Sequence, residues 1–216
     1  GKSLGRGVIT AANWRADGDF GQGESGAGPV FPTDRLGGML NAFTVRAFNA
    51  FYYANGWARQ GIKAVDYAPY FYPLDRIRNW NRLYGRKGFY QYQCVIPKSQ
   101  GGEPIKEMMR IISRSGEGSF LAVLKNFGKR ESVGLMSFPM EGLILALDFR
   151  NRGPKTLALF SALDAVVQSA GGRLYAAKDA RMSGAMLREG YPNLSKFLQY
   201  LDPAIGSDFS RRVLAI

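Results

Sequence analysis

The stretch from residue 88 to residue 96, Gly-Phe-Tyr-Gln-Tyr-Gln-Cys-Val-Ile, constrains the fold of this chain more than any other. Aromatic and β-branched residues dominate it, which is typical of a β-strand. Because side chains of a strand alternate between its two faces, Gln91 and Gln93 share one face. A buried amide needs hydrogen-bond partners, so this pair indicates either a solvated edge or the wall of a polar pocket.

The segments that follow this strand indicate the fold class. Their patterns predict a helix over 102–115, strands over 119–127 and 142–149, a helix over 155–170 and a last strand over 172–179. The resulting order of β, α, β, β, α, β is that of a ferredoxin-like layer. We therefore predict an α+β fold, with a mostly antiparallel sheet and helices packed on one face. The last 35 residues suggest short helices and turns.

The segments before this strand carry weaker signals. Their patterns predict a flexible Gly-rich loop over 15–29, a helix from a cap at Thr33 or Asp34 to about Arg59, a strand over 62–72 and a helix-like segment over 73–87. The first of these helices has more aromatic side chains than one buried face needs. Core packing is the favoured interpretation, and a cover for a bound lipid or cofactor edge is the alternative.

Composition excludes several kinds of chemistry and favours one kind of partner. The chain has no His and a single cysteine, Cys94, so we expect no internal disulfide, no metal-ligand cluster and no Cys/His or Ser/His catalysis. No apolar run approaches the roughly 20 residues that span a bilayer, and residues 1–30 lack a signal-peptide hydrophobic region, which predicts a cytoplasmic protein. A net charge of +12 favours an anionic partner: nucleic acid, a phosphorylated metabolite or an anionic membrane surface.

Polar side chains recur on the predicted strands, at Gln91, Gln93, Lys125 and Lys178. If the faces that carry them converge, the sheet presents two amides and two cations in an apolar surround, which would bind a hydroxylated, anionic ligand. The alternative is that each lysine extends its ammonium group to water. No carboxylate pair and no nucleophile beside a base stands out, so any chemistry would come from a cofactor.

Several sequence blocks, in order over nearly the whole chain, resemble a known family. They are LGRGVI, FYPLD leading into NWNRLYG, GFYQYQCVIP, SFLAVLKNFG, LMSFPMEG, LDF, GGRLYAAKDAR, and the closing DP with SDFSRR. With these blocks the chain resembles flavin-linked oxidases of the vanillyl-alcohol oxidase type, in particular the oxidase subunits of decaprenylphosphoryl-ribose 2′-epimerases. The pattern is specific because several multi-residue blocks agree at compatible spacing.

The resemblance implies a division of the chain and a reaction. Residues 1–172 would form the substrate-binding (cap) domain, and residues 173–216 the C-terminal part of an FAD-binding domain whose amino-terminal half supplies most FAD contacts. FAD would take a hydride from a sugar carbon of a lipid-phosphate-linked pentose. A short-chain reductase partner would then reduce the resulting keto sugar.

The resemblance also implies roles for individual residues. Lys178 would be catalytic, the cofactor would contact Gln91, Tyr175 and Lys178, and the substrate would contact Gln93, Lys125, Ile144 and Ala146. Mycobacterial members carry Asn and Cys at the positions of Ile144 and Ala146, so we expect a more apolar pocket here that lacks the thiol.

Two alternatives remain at this point. One is an aldonolactone oxidase, a related enzyme with a similar cap domain, which would act on a sugar lactone. The other is a ferredoxin-like RNA-binding module, favoured by the basic balance and by the run KGFYQY at residues 87–92, which is similar to an RNP1 motif. Two features argue against the RNA-binding module. RNP1 belongs on the third strand of that fold, whereas this run lies on the first, and Tyr90 stands where Gly or Ala is expected.

Overall fold

The computed structural model describes residues 8–16, 42–72, 78–178 and 181–214. The chain forms two compact units, residues 1–88 and residues 89–216. Among the described residues, none of the helices combines the length and the apolar character needed to cross a membrane. The predicted cap residues Thr33 and Asp34 and most of the predicted loop over 15–29 lie outside the described residues.

The first unit contains helices α1 (Ala42–Ala58) and α2 (Tyr67–Phe71) and a 3₁₀ turn over Trp80–Tyr84. Helix α1 agrees with the predicted helix over its described part. The prediction of a strand over 62–72 is wrong, because its second half is α2. Tyr67 and Phe71 are one helical turn apart, and the ring of Trp14 stacks at 5.9 Å from the first and 6.3 Å from the second. This aromatic cluster holds the short helix.

The second unit follows the predicted order of elements. They are β1 (Phe89–Pro97), α3 (Glu103–Ser115), β2 (Ser119–Phe127), β3 (Gly142–Arg150), α4 (Pro154–Ser169), β4 (Arg173–Leu174), α5 (Gly184–Gly190), α6 (Leu194–Leu198) and α7 (Asp208–Leu214). The sheet has the strand order β2-β3-β1-β4 and every neighbouring pair is antiparallel. This order confirms the predicted ferredoxin-like α+β layer.

The last strand is shorter than predicted. Strand β4 holds two residues, and a 3₁₀ turn over Ala176–Lys178 replaces the remainder of the predicted strand. The last backbone hydrogen bond to β1 runs from the amide of Tyr175 to the carbonyl of Gln93 at 2.9 Å, and the buried hydroxyl of Tyr191 donates to the carbonyl of Leu174 at 2.7 Å. Lys178 therefore lies on a turn beyond the edge of the sheet instead of ending a strand.

A single apolar core lies between the sheet and its helices. Strands β1 and β3 contribute alternate residues, α3 and α4 contribute their apolar stripes, and the helices after β4 close the same core. Buried members from these three sources include Cys94, Leu147, Met108, Leu163 and Leu187. The predicted packing of helices on one face is confirmed, and the opposite face of β1 and β3 carries the side chains predicted for the site.

Candidate functional site

The register of the strands places the predicted polar residues on the face opposite the helices. Gln93 of β1 lies opposite Ala146 of β3. Ile144 of β3 lies between Val95 of β1 and Lys125 of β2. Directly opposed residues of antiparallel strands project to the same face, so these side chains share one surface.

An open hollow lies at the edge of β1, where β4 has ended. It is lined by four aromatic rings, two amides, two cationic side chains and one leucine, namely Tyr90, Tyr92, Phe160, Tyr175, Gln91, Gln93, Lys178, Arg181 and Leu174. Four of the predicted site residues therefore come together here. The mixture of ring faces, amides and cations suits a flat or hydroxylated ligand that carries negative charge.

The two glutamines of the hollow make different contacts. The side-chain nitrogen of Gln91 donates to a carboxylate oxygen of Asp148 at 2.9 Å, and Asp148 is fully buried. The backbone carbonyl of Gln93 accepts a hydrogen bond from the amide of Tyr175 at 2.9 Å. Both glutamine side chains are half-buried. The contact with Asp148 therefore fixes the orientation of the Gln91 amide at the wall of the hollow.

Tyr175 and Lys178 lie on the turn that follows β4. The amide of Lys178 donates to the carbonyl of Tyr175 at 3.0 Å, which closes the turn and brings both side chains to the hollow. The ring of Tyr175 stacks on that of Phe138, with centroids 4.5 Å apart and planes 27° from parallel. The segment that carries Phe138 is tied to β4, because the Arg173 guanidinium donates to the carbonyl of Ser137 at 3.1 Å. Packing thus sets the direction of Tyr175.

Three of the predicted substrate-binding residues do not line this hollow. Ile144 is fully buried and packs with Val95 and Phe138 in a small cluster on the same face. Ala146 is buried beside it, and Lys125 is exposed on the edge strand β2. Their roles in substrate binding stay predictions, whereas Gln91, Gln93, Tyr175 and Lys178 share one hollow.

Sequence reasoning missed a polar network at the floor of the hollow. Asp164 of α4 receives two hydrogen bonds from the Arg181 guanidinium, at 2.7 and 2.9 Å, and one from the hydroxyl of Tyr92 at 2.9 Å. The Arg181 guanidinium also lies 5.0 Å from the ring of Phe160. A carboxylate among the apolar residues of α4 was a signal for a cationic partner, but only the fold shows which cation it binds.

The environment of Tyr92 keeps it a hydrogen-bond donor. Burial raises the pKa of its hydroxyl well above the usual value, and the nearby Cys94 and Asp164 add to this rise more than the positive charge of Arg181 offsets. The hydroxyl therefore remains protonated at neutral pH and donates to the carboxylate. Burial likewise raises the pKa of Tyr191, whose hydroxyl donates to the carbonyl of Leu174.

The residues of the hollow fit part of a flavin better than a whole dinucleotide. The hollow is open to solvent, so its lining offers a surface for a sugar or one edge of a ring system and does not enclose a larger ligand. The ring of Tyr175 offers a flat contact, and the ammonium group of Lys178 offers a positive charge beside it. An isoalloxazine edge held by Gln91, Tyr175 and Lys178 is therefore compatible with the side chains present.

The second unit is therefore a ferredoxin-like α+β layer with an open hollow at one edge of its sheet. Comparison with known proteins then identifies particular relatives. Over 189 residues, 85% of its length, the chain is 33% identical to a decaprenylphosphoryl-beta-D-ribose oxidase of Mycolicibacterium smegmatis. Over 133 residues, 59% of its length, it is 32% identical to an uncharacterized protein in mprA 5'region of Streptomyces coelicolor.

The chain spans only part of these relatives, since the matches cover 39% and 35% of their lengths. No protein-family model matches the chain. The similarity to the Mycolicibacterium oxidase extends over most of this chain and confirms the resemblance that the sequence blocks indicate.

Proposed function

We propose that the chain is part of an FAD-dependent oxidoreductase that oxidises a sugar hydroxyl of a polyprenylphosphoryl pentose. Residues 1–172 would form the substrate-binding domain, and residues 173–216 would return to the FAD-binding domain. The observation that carries the proposal is the hollow at which two amides, a stacked tyrosine and Lys178 meet. A relative named as a decaprenylphosphoryl-beta-D-ribose oxidase supports this substrate class.

In the proposed reaction this chain binds and orients the sugar. When bound, FAD would supply the two-electron acceptor that the oxidation of an alcohol to a ketone requires. The ammonium group of Lys178 donates hydrogen bonds to a hydroxyl or phosphate oxygen and stabilises negative charge near it. The amides of Gln91 and Gln93 orient hydroxyl groups, and the ring of Tyr175 excludes water from one side.

The proposal includes partners and a location. A short-chain reductase would reduce the keto sugar that the oxidation forms. The net charge of +12 supports contact with the anionic headgroups of a membrane that holds a lipid-linked substrate, from the cytoplasmic side.

The proposal is tested with a full-length protein that contains this chain together with the portion matching the remainder of the Mycolicibacterium relative. We expect it to bind FAD, and the flavin absorbance to bleach when a polyprenylphosphoryl ribose is added without oxygen. We expect Lys178→Ala to slow bleaching by about 100-fold or more, because one preorganised charged donor is lost. Lys196→Ala removes an exposed lysine on α6 and is the matched control.

The same assay separates the candidate substrates. A panel of polyprenylphosphoryl pentoses and aldonolactones is added in turn to the full-length protein. If only the lactones bleach the flavin, the result would favour an aldonolactone oxidase over an oxidase of polyprenylphosphoryl pentoses. A full-length protein that never retains flavin would reject both readings, and a Lys178→Ala variant as fast as the Lys196→Ala control would reject the role of Lys178.

A further inference from the structure

The segment that carries Tyr175 and Lys178 is anchored on both sides. Upstream, the buried hydroxyl of Tyr191 donates to the carbonyl of Leu174 at 2.7 Å and accepts from the amide of Ala176 at 3.4 Å. Downstream, Arg181 lies three residues after Lys178 and is bound to Asp164 of α4. We name these contacts the upstream anchor and the downstream anchor.

The downstream anchor has the geometry of a strong ion pair. The guanidinium of Arg181 meets both carboxylate oxygens of Asp164, at 2.7 and 2.9 Å, in the two-pronged arrangement that fixes angle as well as distance. Both side chains are largely buried, with 23% and 18% of their surface exposed. The hydroxyl of Tyr92 and the ring of Phe160 hold the pair in place on the floor of the hollow.

An anchor of this kind matters because Lys178 has little support of its own. It lies on a three-residue turn and its side chain is exposed. A long, exposed side chain on a short turn samples many positions, and a displacement of about 1 Å is enough to slow a positioned reaction by about 100-fold. The backbone of the turn must therefore be fixed from outside if the ammonium group is to stay at the hollow.

From this arrangement we infer that Asp164 is a positioning residue for Lys178: through Arg181 it holds the turn that presents the lysine to the sugar. This inference rests on the proposed function for the sugar contact, whereas the anchoring of the turn is supported by the ion pair of Arg181, three residues after Lys178 in the sequence, with Asp164. Asp164 neither contacts the substrate nor transfers a proton in this scheme, because all its described contacts are to Arg181 and Tyr92.

The chain offers a matched control for a merely structural ion pair. Glu117 has a side chain that is 2% exposed and binds two cations, Lys155 at 2.9 Å and Arg152 at 3.4 Å. It also touches α4 through Lys155, but none of these three residues lines the hollow. Loss of its charge therefore destabilises the same unit without loosening the turn.

The test compares Asp164→Asn and Glu117→Gln in the full-length protein, with polyprenylphosphoryl ribose as substrate and flavin bleaching as the readout. We expect Asp164→Asn to lower the maximal bleaching rate about tenfold or more with a smaller change in the half-saturating concentration. Glu117→Gln is expected to keep the rate. Should Asp164→Asn fail to fold, Arg181→Lys keeps the charge but loses the two-pronged geometry, and is expected to show the same selective loss of rate.

A second readout needs no turnover. In the same proteins without substrate, amide hydrogen exchange of Ala176 and Lys178 is expected to accelerate about tenfold in Asp164→Asn and to remain unchanged in Glu117→Gln after correction for global stability. Equal rates of exchange in both variants, or equal losses of bleaching rate, would overturn the inference. If none of the sugar phosphates or lactones bleaches the flavin of the unaltered full-length protein, the proposed function fails. Amide hydrogen exchange alone then decides whether Asp164 holds the turn.

Discussion

Replacing Ile144 by Asn decides whether this position belongs to the core or to a substrate pocket. The resemblance assigns Ile144 to the substrate, yet the structure places it, fully buried, beneath Phe138 and beside Val95. Asn is smaller than Ile and carries an amide that requires hydrogen-bond partners. The substitution therefore costs little if the side chain faces an open hollow and much if it stays in the cluster.

The magnitude follows from the burial of this side chain. Removing a fully buried Ile side chain from its apolar contacts forfeits about 1.5–3 kcal/mol of transfer free energy. An amide buried without partners adds a further cost of about 1–3 kcal/mol. We therefore expect Ile144→Asn to lower the free energy of unfolding of the second unit by about 2.5–6 kcal/mol, which is a large share of the roughly 5–15 kcal/mol typical of a domain.

The assay must report on the second unit alone. All three tryptophans, at positions 14, 57 and 80, lie within residues 1–88, so their fluorescence follows the first unit. Amide hydrogen exchange in β1 and β3, measured at several urea concentrations, follows the second unit. Ile144→Val is the control for a small loss of volume, with an expected cost of about 0.5–1.5 kcal/mol.

A loss of unfolding free energy below about 1 kcal/mol for Ile144→Asn would refute the reasoning, because an amide without hydrogen-bond partners in a closed apolar cluster destabilises the fold by more than that. It would show that the side chain reaches solvent or a polar group. Ile144 would then again be a candidate for the substrate contact that the resemblance implies. An unchanged tryptophan signal in the same variant confirms that the effect is confined to residues 89–216.

Two further predictions concern stability. In Gly172→Ala the added Cβ would lie 2.5 Å from the backbone carbonyl of Val95, so β4 must move from β1, and we expect a loss of about 1–3 kcal/mol together with faster amide exchange at Leu174 and Tyr175. Burial raises the pKa of the Cys94 thiol to about 12, above its value of 9.0 in water. The unfolded chain therefore loses this proton first, and stability should fall as pH rises from about 9 towards 12, with the urea midpoint as the measure and Cys94→Ala showing a shallower fall. The native thiol should also resist alkylation at pH 9, and rapid labelling without unfolding would contradict its burial.

The layered fold could be predicted because its signals are local. Alternation in β1 assigns its two faces, and helix and strand patterns alternate in a known order from residue 89 to residue 174. The sequence-based predictions failed where a contact with a residue distant in the sequence determines the local structure. The stretch that follows Leu174 was predicted to continue the strand, but the chain enters a 3₁₀ turn at Ala176, and the hydroxyl of Tyr191, seventeen residues from Leu174, binds the carbonyl of Leu174 and the amide of Ala176. Tyr67 and Phe71 are as compatible with a strand as with a helix, and the structure shows a helix in which the ring of Trp14 stacks on both.

The site was predictable in kind and less so in geometry. Amides at positions 91 and 93 and a lysine after the last strand were visible in the chain, and the structure brings them to one hollow. The hollow itself exists because β4 stops after two residues and leaves the edge of β1 open. Its buried partners, Asp148 and Asp164, depend on strand register and helix packing over 57 and 72 residues of sequence separation. A local sequence pattern cannot predict contacts between residues so far apart in the chain.

The same geometry argues against base stacking on this sheet. An RNA-binding module of this fold needs aromatic rings on the face of the sheet that is free of helices. Here Tyr90 and Tyr92, the rings of the RNP1-like run on β1, lie 5.9 and 5.1 Å from the ring of Phe160 on α4, so they face the helices. The opposite face carries Gln91 and Gln93 in the corresponding positions. The amides of this face and the lysine at its open edge match a hydroxylated, anionic ligand, whereas the two rings of the RNP1-like run are turned towards α4 and away from this face.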